Sequence, residues 1–177
     1  MLTVKLIDQG VQTALERLLG LGQSARAVYA AVGETLLSIA KRSFSTSTAP
    51  DGTPWAVNSA VTLARYLGLT GGNYKKNGDL SKKGEARLAS KKPLIGQSRD
   101  LSRQMHWEAT DESVTLANSM IYAAMQQFGG TVAKFDHLWG DIPARPFFPI
   151  TPDGQLMPDA AVQVQQLFID YIETLIG

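Results

Sequence analysis

Apolar side chains recur at helical spacing in several separate runs along the chain. Between residues 6 and 19 they fall at Ile7, Val11, Ala14, Leu15, Leu18 and Leu19, which is one face of an amphipathic helix. Gly20, Gly22 and Ser24 then supply a stop, a permissive link and an N-cap, and Val28, Val32, Leu36, Ile39 and Ala40 restart the period toward Phe44. These two runs predict an N-terminal helical hairpin. The last run, Val164, Leu167, Phe168, Tyr171, Ile172 and Leu175, follows Pro158-Asp159, a pair suited to a helix start. Shorter helical patterns lie between residues 59 and 67, in the region 94–101, and at Ile121, Met125 and Phe128, where Gly129-Gly130 ends the run.

In the middle of the chain the period changes from helical to two. Met105, Trp107 and Ala109 alternate with His106 and Glu108; Thr110, Asp111 and Glu112 form a turn; Val114 and Leu116 share one face of a returning strand. The expected architecture is α+β: an N-terminal helical hairpin and a C-terminal helix packed on a small antiparallel β-sheet. One domain spanning residues 1–177 accounts for the whole chain, with a flexible lysine-rich loop at about residues 68–93, where glycine, lysine and asparagine replace core-forming residues.

One stretch fits neither period. In IPARPFFPI, residues 142–150, Pro143, Pro146 and Pro149 exclude a long helix and a central strand, yet Phe147, Phe148 and Ile150 require cover. A tract stiffened by prolines loses little entropy on docking, and it packs equally well on its own domain or on a neighbouring subunit. Arg145, Pro146, Phe147 and Phe148 are therefore the expected subunit or partner interface. Trp55, in the turn Asp51-Gly52-Thr53-Pro54-Trp55, or the first helix is expected to contribute the opposing surface.

Composition removes most chemistry. The absence of cysteine excludes disulfides, thiolate metal sites and cysteine nucleophiles, and His106 and His137 alone give little to a histidine metal centre. Asp136, His137, Asp141 and Asp153 are close in sequence and could serve a hydrolase, but neighbours on a loop read more simply as solvated polar groups. The stretch GLTGGN lacks the strand and helix that flank a dinucleotide fingerprint. No catalytic residue, metal site or cofactor is expected. No apolar run is long enough to cross a bilayer, and the first ten residues lack a secretory pattern, so synthesis in the cytoplasm is expected.

Net charge is +1 but unevenly placed. Residues 75–92 hold Lys75, Lys76, Lys82, Lys83, Arg87, Lys91 and Lys92 against Asp79 and Glu85, an excess of +5 that leaves −4 on the rest of the chain. These seven residues are the candidate nucleic-acid contact, and DNA binding through them is the alternative function; the simpler reading is a solvated loop.

Taken in order, Phe44, the turn with Asp51, Gly52, Pro54 and Trp55, then Leu94 and Leu101, then Tyr122, Ala123, Gln127, Phe128, Gly129 and Gly130, then Pro143, Ala144, Arg145, Pro146 and Phe147 resemble the phage virion morphogenesis family, the tail-completion proteins of Mu-like tailed phages. The resemblance covers most of the chain after Phe44. It departs where the family often has threonine and glycine ahead of the hairpin and this chain has Gln97-Ser98-Arg99-Asp100-Leu101, and the lysine-rich loop is long. The resemblance implies a non-enzymatic structural virion protein acting in tail completion or head-to-tail joining, made in the host cytoplasm and incorporated in the tail or neck. It also implies a homo-oligomeric ring, such as a hexamer, and contacts with other phage neck and tail proteins; transient contact with DNA is expected only through the basic residues, and no membrane partner is expected from the hydropathy.

Overall fold

Leu2, Val4 and Leu6 alternate with Thr3 and Lys5, and Leu2–Leu6 forms strand β1 of a three-stranded antiparallel sheet. The computed structural model of the chain describes residues 1–6, 24–138 and 140–176. The helical run expected after Leu6, and with it the N-terminal helical hairpin, falls outside the described residues, as does Trp139. The other strands are β2, Met105–Ala109, and β3, Val114–Asn118, joined by the turn the alternation predicts. β3 is central: Leu116 lies opposite Trp107 on one side and Val4 on the other.

The face of the sheet bearing Val4, Trp107 and Leu116 is covered by helix α1, Arg26–Thr46. Trp107 lies so close to Gly33 that a Cβ there would sit 2.7 Å from the indole, so this contact requires glycine. Helix α6, Pro158–Ile176, packs on another side of α1, with Phe168 edge-on to Tyr29 at 5.5 Å. The Tyr171 hydroxyl donates to the Ser24 carbonyl, so the C-terminal end of α6 meets the start of α1 and the two helices run antiparallel. Ala25 takes the N-cap position expected of Ser24, but the Arg26 N–H donates both to the Ser24 hydroxyl at 3.3 Å and to Asp111, from the β2–β3 turn, at 3.2 Å, and the Ser24 hydroxyl donates to Asp111 at 2.6 Å. At the other end, Lys92 donates to the Ser45 carbonyl. Both ends of the α1 dipole are thus met by charges far away in sequence.

The stretch 68–93, expected to lack regular structure, contains a helix. Helices α2, Ala60–Gly68, and α3, Lys82–Ser90, are capped by Ser59 and Ser81 and pack on each other. Asn73 is buried between them, donating to the Leu67 and Thr70 carbonyls, and a Cβ on Gly84 would fall 2.2 Å from the Asn73 carbonyl. α3 carries no apolar stripe, because its contact face consists of Gly84 and half-buried Arg87 and Leu88. A single turn, α4, Asp100–Arg103, precedes β2, and helix α5, Ala123–Phe128, follows β3.

The face of α5 is the reverse of the one its apolar residues predict. Ile121, just ahead of it, is 89 % exposed and Phe128 is exposed, whereas Ala123 and Gln127 are buried. The reason is the proline tract, which needs hydrogen-bond partners more than it needs apolar cover. Gln127 Oε1 accepts from the N–H groups of both Phe147 and Phe148 at 2.9 Å, and Nε2 donates to the carbonyls of Phe148 and Ile150. The Arg145 N–H donates to the Gln126 carbonyl, and Met157 N–H to the Pro149 carbonyl. A side chain does for this segment what a neighbouring strand would do in a sheet.

Candidate interaction surface

The residues predicted to form an interface are brought together, but inside the fold. Phe147 and Phe148 are 0 % exposed, and Trp55 and Arg145 are buried. Phe44 packs between Trp55 at 5.3 Å and Phe147 at 5.4 Å, and Phe147 meets Phe148 at 4.9 Å. Trp55 Nε1 donates to the Pro146 carbonyl at 2.7 Å. The turn before it is a tight hairpin with Gly52 at φ +86°, which directs the indole inward. Phe44, Trp55, Phe147 and Phe148 therefore hold the chain's own core together, with Pro146 half-buried beside them, and the two phenylalanines leave no surface for a neighbour.

Arg145 forms the boundary between that core and the outside. Its Nε donates to the Ala56 carbonyl at 2.8 Å and its Nη2 to the Val57 carbonyl at 3.0 Å, and burial lowers its pKa. Beyond it opens a cleft of about 600 Å³. One wall is Val57 to Ser59 with Thr62, at the start of α2; a second is Lys91 with Leu94 to Gly96; a third is Tyr122 and Gln126; the floor is Asp141 to Pro143 with Arg145. The walls are therefore the ends of the four segments whose residues carry the family resemblance. Lys91 donates to the Ile95 carbonyl, and burial lowers its pKa as well. Asp141 Oδ1 accepts from the Val132 N–H at 2.8 Å. Burial, and then the Asp100 carboxylate, raise the pKa of the Tyr122 phenol. Val57, at the rim, is 83 % exposed.

The basic residues divide into two groups. Lys83 donates to the Gly71 carbonyl, Lys91 and Lys92 are held as described, and Arg87 stacks 4.3 Å over the Tyr66 ring. Lys75, Lys76 and Lys82 have no side-chain partner among the described residues and lie exposed at the free end of the α2–α3 hairpin. In the GLTGGN stretch, the carbonyls of Gly71 and Gly72 accept from Lys83 and Ser81, an arrangement that presents acceptors rather than the N–H donors a phosphate needs. Asp136 and His137 are 4.0 Å apart and both exposed, and Asp153 is exposed on a separate turn. Among the described residues no three His, Asp or Glu side chains are grouped so as to hold a metal ion.

Neither the cleft nor the role of Gln127 is foreseen from the sequence. The signal for Gln127 is a polar residue on a short helix just ahead of a glycine pair, with a proline tract downstream whose N–H groups lack a ladder. For the cleft, each wall is two to four residues at the edge of a motif, and only the fold joins them.

Residues 6–163 match the model of the phage virion morphogenesis family. No curated protein and no solved structure matches the chain.

Proposed function

Because the chain belongs to the phage virion morphogenesis family, with a role in building the phage particle, we propose that it is a non-enzymatic structural subunit acting in tail completion or head-to-tail joining, assembled as a homo-oligomeric ring at the tail or neck. The observation that supports this reading is the use made of the motif residues. Phe44, Trp55, Gln127, Arg145 and Phe147 are spent on holding one rigid body together, and the segments that carry them leave an open cleft at their ends. A joining part requires a stiff body with a docking surface, and a ring requires two different surfaces on each subunit. Native mass spectrometry of the purified chain is expected to show a closed homo-oligomer. A chain that stays monomeric at every accessible concentration contradicts the ring.

A second reading rests on Lys75, Lys76 and Lys82, which project from the far end of the α2–α3 hairpin without an intramolecular role among the described residues. They suit phosphate contacts with the genome as it passes. Replacing all three by alanine is then expected to weaken binding to duplex DNA and to flatten its salt dependence by about 0.9 log units per log unit of salt for each phosphate that a lysine no longer neutralises. Unchanged affinity in the triple variant removes the DNA role.

A further inference from the structure

The cleft beside Arg145 is lined by two cations, Arg145 and Lys91, against one carboxylate, Asp141, and neither cation is ion-paired among the described residues. Arg145 is buried and Lys91 is half-buried; both donate to neutral carbonyls, and Lys91 also lies 5.1 Å over the Tyr66 ring. Among the described residues neither lies within ion-pair distance of a carboxylate; Asp141, which lines the cleft and accepts from the Val132 N–H, leaves the cleft one positive charge in excess. A cation that loses its remaining water without gaining an anionic partner is costly, so covering Arg145 and Lys91 stabilises a complex best when the occupant brings negative charge.

The chain has such charge at its opposite end. The β2–β3 hairpin presents Glu108, near the end of β2, and Glu112, in the turn, both exposed and without a side-chain partner among the described residues, close to Asp111. Asp170 and Glu173 flank Tyr171 at the same end, where its hydroxyl bonds Ser24. This acidic end sits at the start of α1, because Asp111 binds the Arg26 N–H. The cleft lies past the other end of α1, where Lys92 holds the Ser45 carbonyl and Asn58 bonds the Lys91 carbonyl. A helix of 21 residues is about 30 Å long at 1.5 Å per residue. The turn of one molecule therefore cannot reach its own cleft, but it is placed to enter the cleft of the next.

We propose that the cleft formed by Val57, Lys91, Tyr122 and Arg145 receives the acidic tip of the β2–β3 hairpin of a second copy of this chain, with Glu108 at the end of β2 and Glu112 in the turn meeting Lys91 and Arg145. The contact is heterologous: each copy offers a basic cleft at one end and an acidic turn at the other, the arrangement that closes into a ring when the rotation per subunit permits. Val57, which is exposed in the single chain, is covered in the pair. This inference names the subunit boundary of the proposed ring and rests on self-assembly, not on where in the virion the ring sits.

The test uses two charge-reversed full-length variants. One carries Val57→Glu and Lys91→Glu in the cleft; the other carries Glu108→Lys and Glu112→Lys on the hairpin tip. None of these side chains is in the aromatic core. By native mass spectrometry each variant alone is expected to stay at monomer mass under conditions where the wild type assembles. The equimolar mixture is expected to assemble, since each junction again joins opposite charges, and that recovery also shows that both variants fold. Wild-type assembly is expected to weaken as salt is raised. Variants that assemble alone as the wild type does, or a mixture that stays monomeric while the wild type assembles, overturn the pairing of these two surfaces and leave the ring itself standing. A wild type that never assembles overturns both.

Discussion

Gln127→Leu is expected to destabilise the chain by about 2–6 kcal/mol, because it leaves the buried N–H groups of Phe147 and Phe148 without an acceptor, at roughly 1–3 kcal/mol each. Leucine fills nearly the same volume, so the loss measures hydrogen bonding and not a cavity. The Phe148 carbonyl keeps a second partner in the Ile150 N–H, so the donors carry most of the effect. Against a total stability of about 5–15 kcal/mol, such a loss unfolds a large fraction of the protein or brings it close to unfolding. Urea denaturation at neutral pH is the measurement, and a change below about 0.5 kcal/mol contradicts the role assigned to this side chain.

Gln127→Glu sharpens the test. A protonated carboxyl can accept from the two N–H groups and donate to the Phe148 carbonyl, much as the amide does, whereas the ionised group would be a buried charge with only two donors to meet it. Burial therefore raises the folded-state pKa of the new group above its unfolded value of about 4.3. With the folded value raised, the penalty is absent below the unfolded pKa and grows as pH rises toward and through the folded one. Relative to the wild type, this variant is expected to be much less stable at pH 7 and close to it near pH 4.

The parts of this fold that are legible in the sequence are those with water on one side. α1 and α6 show their buried stripes, the β2–β3 hairpin shows its alternation, and the turn at Asp51 to Trp55 shows its glycine and its aromatic anchor. β1 is hidden because its alternation covers only five residues, runs directly into a helical spacing at Ile7, and finds its partner β3 more than a hundred residues later. α3 is hidden because a helix that packs through glycine and one leucine leaves no periodic signal. The inward direction of Phe147 and Phe148 is not legible either: a proline-stiffened tract is equally fit for an inner or an outer surface, and Gln127 and Trp55 decide it by supplying partners for its backbone.

The same point changes how the family's residues are understood. Phe44, Trp55, Leu101, Ala123, Gln127, Arg145 and Phe147 are all buried. Gly129 adopts φ +72°, and a Cβ on it would fall 2.7 Å from the Ala144 N–H nitrogen, so the glycine pair is required where α5 meets the proline tract. The motif thus specifies a seam between four segments distant in sequence. What it leaves to the surface is the shape of the cleft at the ends of those segments, and the charges around it come from Lys91 as well as from the motif's own Arg145.

A structural part has a phenotype set by assembly. If the chain acts as proposed, replication and packaging proceed without it, so in a phage whose genome lacks only this reading frame DNA-filled heads and tails are both expected to form. What is expected to be missing is their union, with infectious titre falling by orders of magnitude and recovering when the chain is supplied in trans. Negative-stain electron microscopy of the lysate is the most direct measurement of this claim. The account predicts filled heads and separate tails, unjoined or with irregular upper ends, in place of intact particles; intact particles at normal titre, or empty heads with no tails at all, would contradict it.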